Sequence, residues 1–190
     1  MIRRNHTLPV ATPAMLIACM LACILAGHAS GQPAPAALKI TSSSFQAGQP
    51  IPAEYTCEGA DISPALRWSG VPASAKTIAL ICEDPDAPAG IWTHWVLYNL
   101  PAGIMELAEK TPTTPSLPPD ARQGTNDFKR TGYSGPCPPA GKPHRYFFKI
   151  YALDIAVTLN PGANRQELLH AMEGHVVAAG QITGTYRRKE

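Results

Sequence analysis

Thr77-Ile78-Ala79-Leu80-Ile81-Cys82-Glu83-Asp84-Pro85-Asp86-Ala87-Pro88-Ala89-Gly90-Ile91-Trp92-Thr93-His94-Trp95-Val96-Leu97-Tyr98-Asn99-Leu100 reads as two strands around a turn. Thr77 to Glu83 and His94 to Leu100 are short apolar runs rich in β-branched or aromatic residues, bounded by proline and glycine. Pro85 has no amide hydrogen to give a ladder, so Asp84 ends the first run and Asp86 falls in the turn that follows. His94 opens the second run between two large walls, Trp92 and Trp95. Two carboxylates and an imidazole therefore stand at strand ends, where side chains meet solvent and ligands. A bare Asp-Pro-Asp is also what two turn-capping aspartates look like, and a lone histidine there is more often structural.

Working outward, similar runs recur at Leu38 to Phe45, Ala65 to Trp68, Arg145 to Leu153 and Gln181 to Arg187. Only Arg165 to Glu173 reads as helix. Asn164 caps it, Glu167 stands in capping-box position, Leu168, Leu169 and Met172 share a face, and Gly174 ends it. The fold class is mostly β with a minor helix near the C-terminus. Period-2 alternation puts His144, Tyr146, Phe148 and Ile150 on one face of their strand and turns Arg145 the other way, toward a structural ion pair. His170 and His175, five apart, are poorly spaced for joint ligation.

The N-terminal residues read as an export signal: Arg3 and Arg4, an apolar stretch from about Ala14 to Ala26, and a small-x-small site at Gly27-His28-Ala29. The expected organisation is a signal over 1–29, a flexible leader over 30–36 and one domain over 37–188. Cys19 and Cys23 each sit in a stretch resembling a lipoprotein box, so a lipid anchor is the alternative to soluble export into the periplasm or medium. Cleavage after Ala29 removes two arginines and no acid, leaving 14 basic and 14 acidic side chains. That balance gives no concentrated basic face for nucleic acid or an anionic membrane.

Three cysteines remain. Cys57, in Thr56-Cys57-Glu58-Gly59, and Cys137, in Gly135-Pro136-Cys137-Pro138, occupy loops, whereas Cys82 lies in an apolar strand. In an oxidising compartment the expectation is a Cys57–Cys137 bond and a buried free Cys82.

The ordered set Asp84-Pro85-Asp86-Ala87-Pro88, His94-Trp95, Pro138-Pro139 and His144-Arg145-Tyr146 resembles the phosphatidylethanolamine-binding protein family, in particular its bacterial Raf-kinase-inhibitor-like branch. The resemblance spans nearly all of 38–187. It implies a two-sheet β-sandwich with a small anion-binding cavity lined by Asp84, Asp86, Trp92, His94, Gly135, Pro138, Pro139, His144 and Tyr146. Histidine and tyrosine donate to an anion, and glycine-proline turns let backbone amides approach it. The aspartates orient the imidazoles, favour their charged form, or accept a hydrogen bond from a protonated phosphate. Cys137 stands where Gly or Ala is common in the family. Asp120 to Phe128 resembles a segment near the pocket and is a lid candidate.

The leading expectation is thus a binding protein without catalysis or cofactor, taking phosphate or a phospho-head group. Gly132-Tyr133-Ser134-Gly135-Pro136 lacks the last glycine of a nucleophile elbow and its strand-to-helix context. Two alternatives are a metal-dependent hydrolase using His94, His144, Asp84 and Asp86, and a protein-interaction module such as a protease inhibitor. The chain has no His-Glu-x-x-His spacing to support the first.

Overall fold

The computed structural model describes residues 35–117 and 120–188. The expected signal, both lipoprotein-box cysteines and most of the expected leader lie outside the described residues.

Ten strands, one α-helix and one short 3-10 helix, Ala53–Tyr55, occur among the described residues. The larger sheet has the order β1 (Ala36–Ala37), β10 (Val176–Tyr186), β9 (His144–Leu153), β4 (Thr77–Asp84), β5 (Trp92–Pro101), β8 (Ala121–Gln123) and β7 (Ser116–Leu117). The smaller sheet is β2 (Lys39–Thr41), β3 (Leu66–Ser69) and β6 (Glu106–Leu107). All neighbours are antiparallel except β1 and β10.

One core lies between the sheets, where Leu66 and Trp68 of β3 meet Ile78, Leu80 and Cys82 of β4, Trp95 and Leu97 of β5, and Tyr146, Phe148 and Ile150 of β9. A second lies on the opposite face of the larger sheet, where Ala79, Ile81, Val96 and Tyr98 meet Leu168 and Met172 of α1 (Arg165–Met172). β4 is covered on both faces, which is why Ile78 to Cys82 is continuously apolar rather than alternating.

The helix begins as its sequence indicates. Asn164 Oδ1 accepts the Glu167 amide at 3.1 Å and Glu167 Oε2 accepts the Asn164 amide at 2.7 Å, which satisfies two otherwise orphaned donors.

Three expectations differ in extent. The strand expected over Leu38 to Phe45 ends at Thr41, where Ser42 Oγ donates to the Ala65 carbonyl and accepts the Ser44 amide, replacing ladder bonds with local ones. The strand expected from Gln181 starts at Val176. Gly180 and Gly184 serve close packing within it: a Cβ would stand 2.3 Å from the Leu38 carbonyl oxygen at one and 2.5 Å from Ile51 Cγ1 at the other. The lid candidate is in part sheet: its residues Ala121–Gln123 form β8, where Gln123 and Arg122 pair with Leu97 and Tyr98 of β5. Only its end, at Phe128, reaches the pocket described next.

Candidate functional site

The C-terminal end of β4 and the first residues of β5 and β9 meet at one end of the larger sheet, since Asp84 pairs in register with Trp92, and Glu83 with Phe147. A cavity of about 210 Å³ opens there. Asp84, Trp92, His94 and His144 form its polar and aromatic part. Ala87, Pro88, Ala89, Phe128, Cys137, Pro138 and Pro139 complete the wall.

Asp84 is the buried anchor. Oδ1 accepts the Asp86 amide at 2.8 Å, closing the turn at Pro85, and Oδ2 accepts His144 Nδ1–H at 2.7 Å. Its side chain is only 4% exposed. The His94 ring is also buried, and its Nδ1–H donates to the Ser134 carbonyl at 2.7 Å. Both imidazoles thus have Nδ1 committed to an acceptor, which leaves Nε2 as the ring nitrogen each offers to a ligand. His94 lies edge-on to Phe128 and Tyr146, with ring centroids 5.3 and 5.2 Å away, and Trp92 lies edge-on to Phe128 at 5.4 Å.

Electrostatics follow from burial. Desolvation pushes the His94 imidazolium below its ordinary range, against the opposing pull of the Ser134 carbonyl and the Asp84 charge. Burial raises the Tyr146 phenol far above its usual value, with the Asp84 charge adding to it. Among the described residues no lysine or arginine lines the cavity, which leaves the imidazoles as its source of positive charge.

Three of the expected pocket residues stand behind the wall. Asp86 is held by Arg145, which donates from Nε, Nη2 and its backbone N–H; this bond network lowers the Asp86 carboxyl to about 2. Arg145 is the ion pair that the strand alternation indicates. Gly135 fastens the wall from behind, its amide 2.6 Å from Asp61 Oδ1. A Cβ on Gly135 would stand 2.2 Å from the Tyr55 carbonyl oxygen. Tyr146 packs against His94 with a hydroxyl sealed from solvent; it lies near enough to Asp84 to feel its carboxylate, but among the described residues no partner meets hydrogen-bond geometry. The Trp92 indole N–H is likewise buried and unpartnered.

The supporting network was not legible in sequence. Asn126 Nδ2 donates to Gly132 O and Ser134 Oγ, both at 3.0 Å, so it sets the carbonyl that orients His94. Asp127 Oδ2 accepts the Thr93 amide at 2.7 Å and brings Phe128 alongside. The nearest signal was the likeness of Asp120 to Phe128 to a family segment. Cys57 and Cys137 are bonded and Cys82 is free and buried. Among the described residues no three His, Cys, Asp or Glu side chains converge as metal ligands.

Residues 41–187 match the phosphatidylethanolamine-binding protein family. The chain belongs to this family. It is 53% identical over 138 residues to a UPF0098 protein of Methanothermobacter thermautotrophicus, covering 73% of this chain and 91% of that one. A UPF0098 protein of Aquifex aeolicus is 46% identical over 155 residues, covering 80% and 90%. Among solved structures, a phosphatidylethanolamine-binding protein homologue from Chlamydia trachomatis aligns with a TM-score of 0.73 at 42% identity, and E. coli YbcL with 0.75 at 34%. Each alignment covers 80% of this chain and 99% of the other. The two sheets and short helix are the architecture of that family.

Proposed function

We propose that this member of the phosphatidylethanolamine-binding protein family is an exported binding protein that captures a phosphate-like anion, free or on a small head group, and performs no chemistry on it. The observation that carries this reading is the pair of imidazoles whose Nδ1 atoms are tied to Ser134 O and Asp84, each presenting Nε2 at one small cavity. When both are protonated they become two converging charge-assisted donors, and such bonds are stronger than neutral ones. The cavity volume suits a phosphate or head group rather than a whole lipid.

Binding without catalysis is favoured by how the reactive groups are held. Asp84 already accepts two hydrogen bonds, Asp86 is taken by Arg145, and the Ser134 hydroxyl oxygen accepts Asn126 outside the cavity lining. Export is favoured by Arg3, Arg4, the apolar stretch and Gly27-His28-Ala29, and a disulfide suits an oxidising compartment. No helix among the described residues is long and apolar enough to cross a membrane.

The test is calorimetric titration of the processed protein with phosphate and phosphoethanolamine, beside the His94→Ala/His144→Ala variant. Binding by the first and not the second is expected. Equal binding by both sinks the pocket assignment. N-terminal sequencing of the processed protein is expected to begin at Ser30, and a lipid-modified Cys19 or Cys23 there would replace soluble export with an anchor.

A further inference from the structure

Cys137 belongs to the pocket wall, together with Pro138 and Pro139. The chain leading to it is well fastened: the Ser134 amide donates to the His94 carbonyl, the Gly135 amide to Asp61, and the Pro136 carbonyl accepts the Cys57 amide. The chain after it is not. From Cys137 to Pro143 no backbone or side-chain hydrogen bond is made to any other described residue, and the next ones come where His144 and Arg145 meet Asp84 and Asp86. The bond to Cys57 is therefore the tie nearest to the two prolines that form the wall. At its other end Cys57 is an exposed residue, whereas Cys137 is half-buried; the remaining thiol, Cys82, is buried.

We propose that the Cys57–Cys137 bond is a thiol–disulfide exchange site coupled to the pocket, so that a dithiol reductant opens the wall and lowers affinity for the anion. A thiolate of the reductant attacks the sulfur of Cys57, the more exposed residue of the pair, the bond between the cysteines breaks, and Cys137 leaves as a thiolate that takes up a proton. The reductant's second thiol then attacks the mixed disulfide and frees Cys57. Two electrons and two protons pass to the protein, and the reductant ends as a disulfide. The open form gives residues 137–143 conformational freedom that ligand binding must remove again, which weakens binding without touching either histidine.

This inference rests on the anion reading, and two measurements separate their failures. Phosphate binding to the oxidised protein is measured by calorimetry, then repeated after reduction with dithiothreitol and on Cys57→Ser/Cys137→Ser, with circular dichroism and amide NMR spectra showing whether the sheets persist. The oxidised protein is expected to bind, and the reduced protein and the variant, still folded, to bind at least about tenfold more weakly, the scale of re-ordering one or two residues. If the oxidised protein binds no phosphate, the anion reading has failed and the coupling falls with it. If it binds and the folded reduced form binds equally well, the coupling alone is overturned. Should the variant unfold, reduction of the wild type at a temperature where its spectrum is unchanged decides the matter in the same way. Mass spectrometry of alkylated protein is expected to find Cys57 and Cys137 labelled after reduction and Cys82 unlabelled; a bond that resists dithiothreitol in the folded protein also overturns the exchange site.

Discussion

The Asp86 carboxylate takes three hydrogen bonds from Arg145, at 2.9 Å from Nε, 2.7 Å from Nη2 and 2.9 Å from the backbone amide. It ties the turn after β4 to the start of β9 and so sets the distance between Asp84 and His144 without itself lining the cavity. Because Arg145 holds the Asp86 carboxyl at about 2, below the ordinary carboxylate value of about 3.9, the unfolded chain takes up the proton first as pH falls. This contribution to stability is complete above about pH 4 and is lost as pH falls through about 2. Asp86→Asn is expected to remove that acid-sensitive component in urea unfolding measured from pH 5 to 2, and to weaken phosphate binding less than His144→Ala does. Loss of binding in a folded Asp86→Asn protein would make Asp86 a direct ligand group.

The outline of the fold was legible because it rests on local signals, whereas the candidate site was read from the resemblance of its motifs. Pro85 ends β4, Asn164 and Glu167 cap α1, and alternation along β9 separates Tyr146 from Arg145. What was hidden depends on partners distant in sequence. Nothing local to Asp86 indicates that Arg145 will occupy it, and nothing local to Gly135 indicates Asp61. Short strands such as β6, β7 and β8 have too few residues to show a period. The close approach of Leu38 to Gly180 and of Ile51 to Gly184 likewise depends on residues far away in the chain.

On the far face of the larger sheet, Glu83 is buried, with a side chain only 3% exposed, and is held by Lys149 Nζ and by Arg165 Nε at 2.6 Å. Either cation alone still leaves the carboxylate paired. Replacing both strands a charge in low dielectric, which costs about 3–5 kcal/mol. Denaturant unfolding of Lys149→Met, Arg165→Met and the double variant is expected to show two modest losses and a double loss larger than their sum. Additive losses would mean that water reaches Glu83.

The Cys57–Cys137 bond closes a separation of 80 residues, worth on the order of 4 kcal/mol in the chain-entropy model. Non-reducing peptide maps are expected to join these two cysteines, and Cys57→Ser/Cys137→Ser to lower the unfolding free energy by about that amount. Burial pushes the Cys82 thiol well above its ordinary value, so it should react with iodoacetamide only on unfolding. Labelling of Cys82 in the native protein would contradict its place between Ile81 and Glu83 in the buried strand.

On the anion-capture reading, His94 connects pH to both stability and binding, with opposite signs. Burial holds it below its ordinary value of about 6.5, while the Asp84 and Asp61 charges and the Ser134 and Gly135 backbone groups act the other way. The unfolded chain therefore binds the proton first, and the ligand-free protein keeps the full contribution above about pH 6.5 and loses it as pH falls toward the depressed folded value. An anion reverses the trend, since its charge favours the imidazolium and raises the His94 pKa in the complex. Affinity is then greatest below the ligand-free value and falls as pH rises through the interval up to the liganded one. Thermal unfolding from pH 7.5 to 5 is expected to show an acid-side loss that phosphate offsets increasingly as pH falls, and calorimetry in buffers of different ionisation enthalpy should register proton uptake on binding. His94→Gln should remove its share of both effects, and His144→Ala should weaken binding by about 1.5–3 kcal/mol, the scale of a hydrogen bond to a charged group. Affinity that rises with pH across this range would falsify imidazolium capture and point instead to a ligand that donates to neutral Nε2.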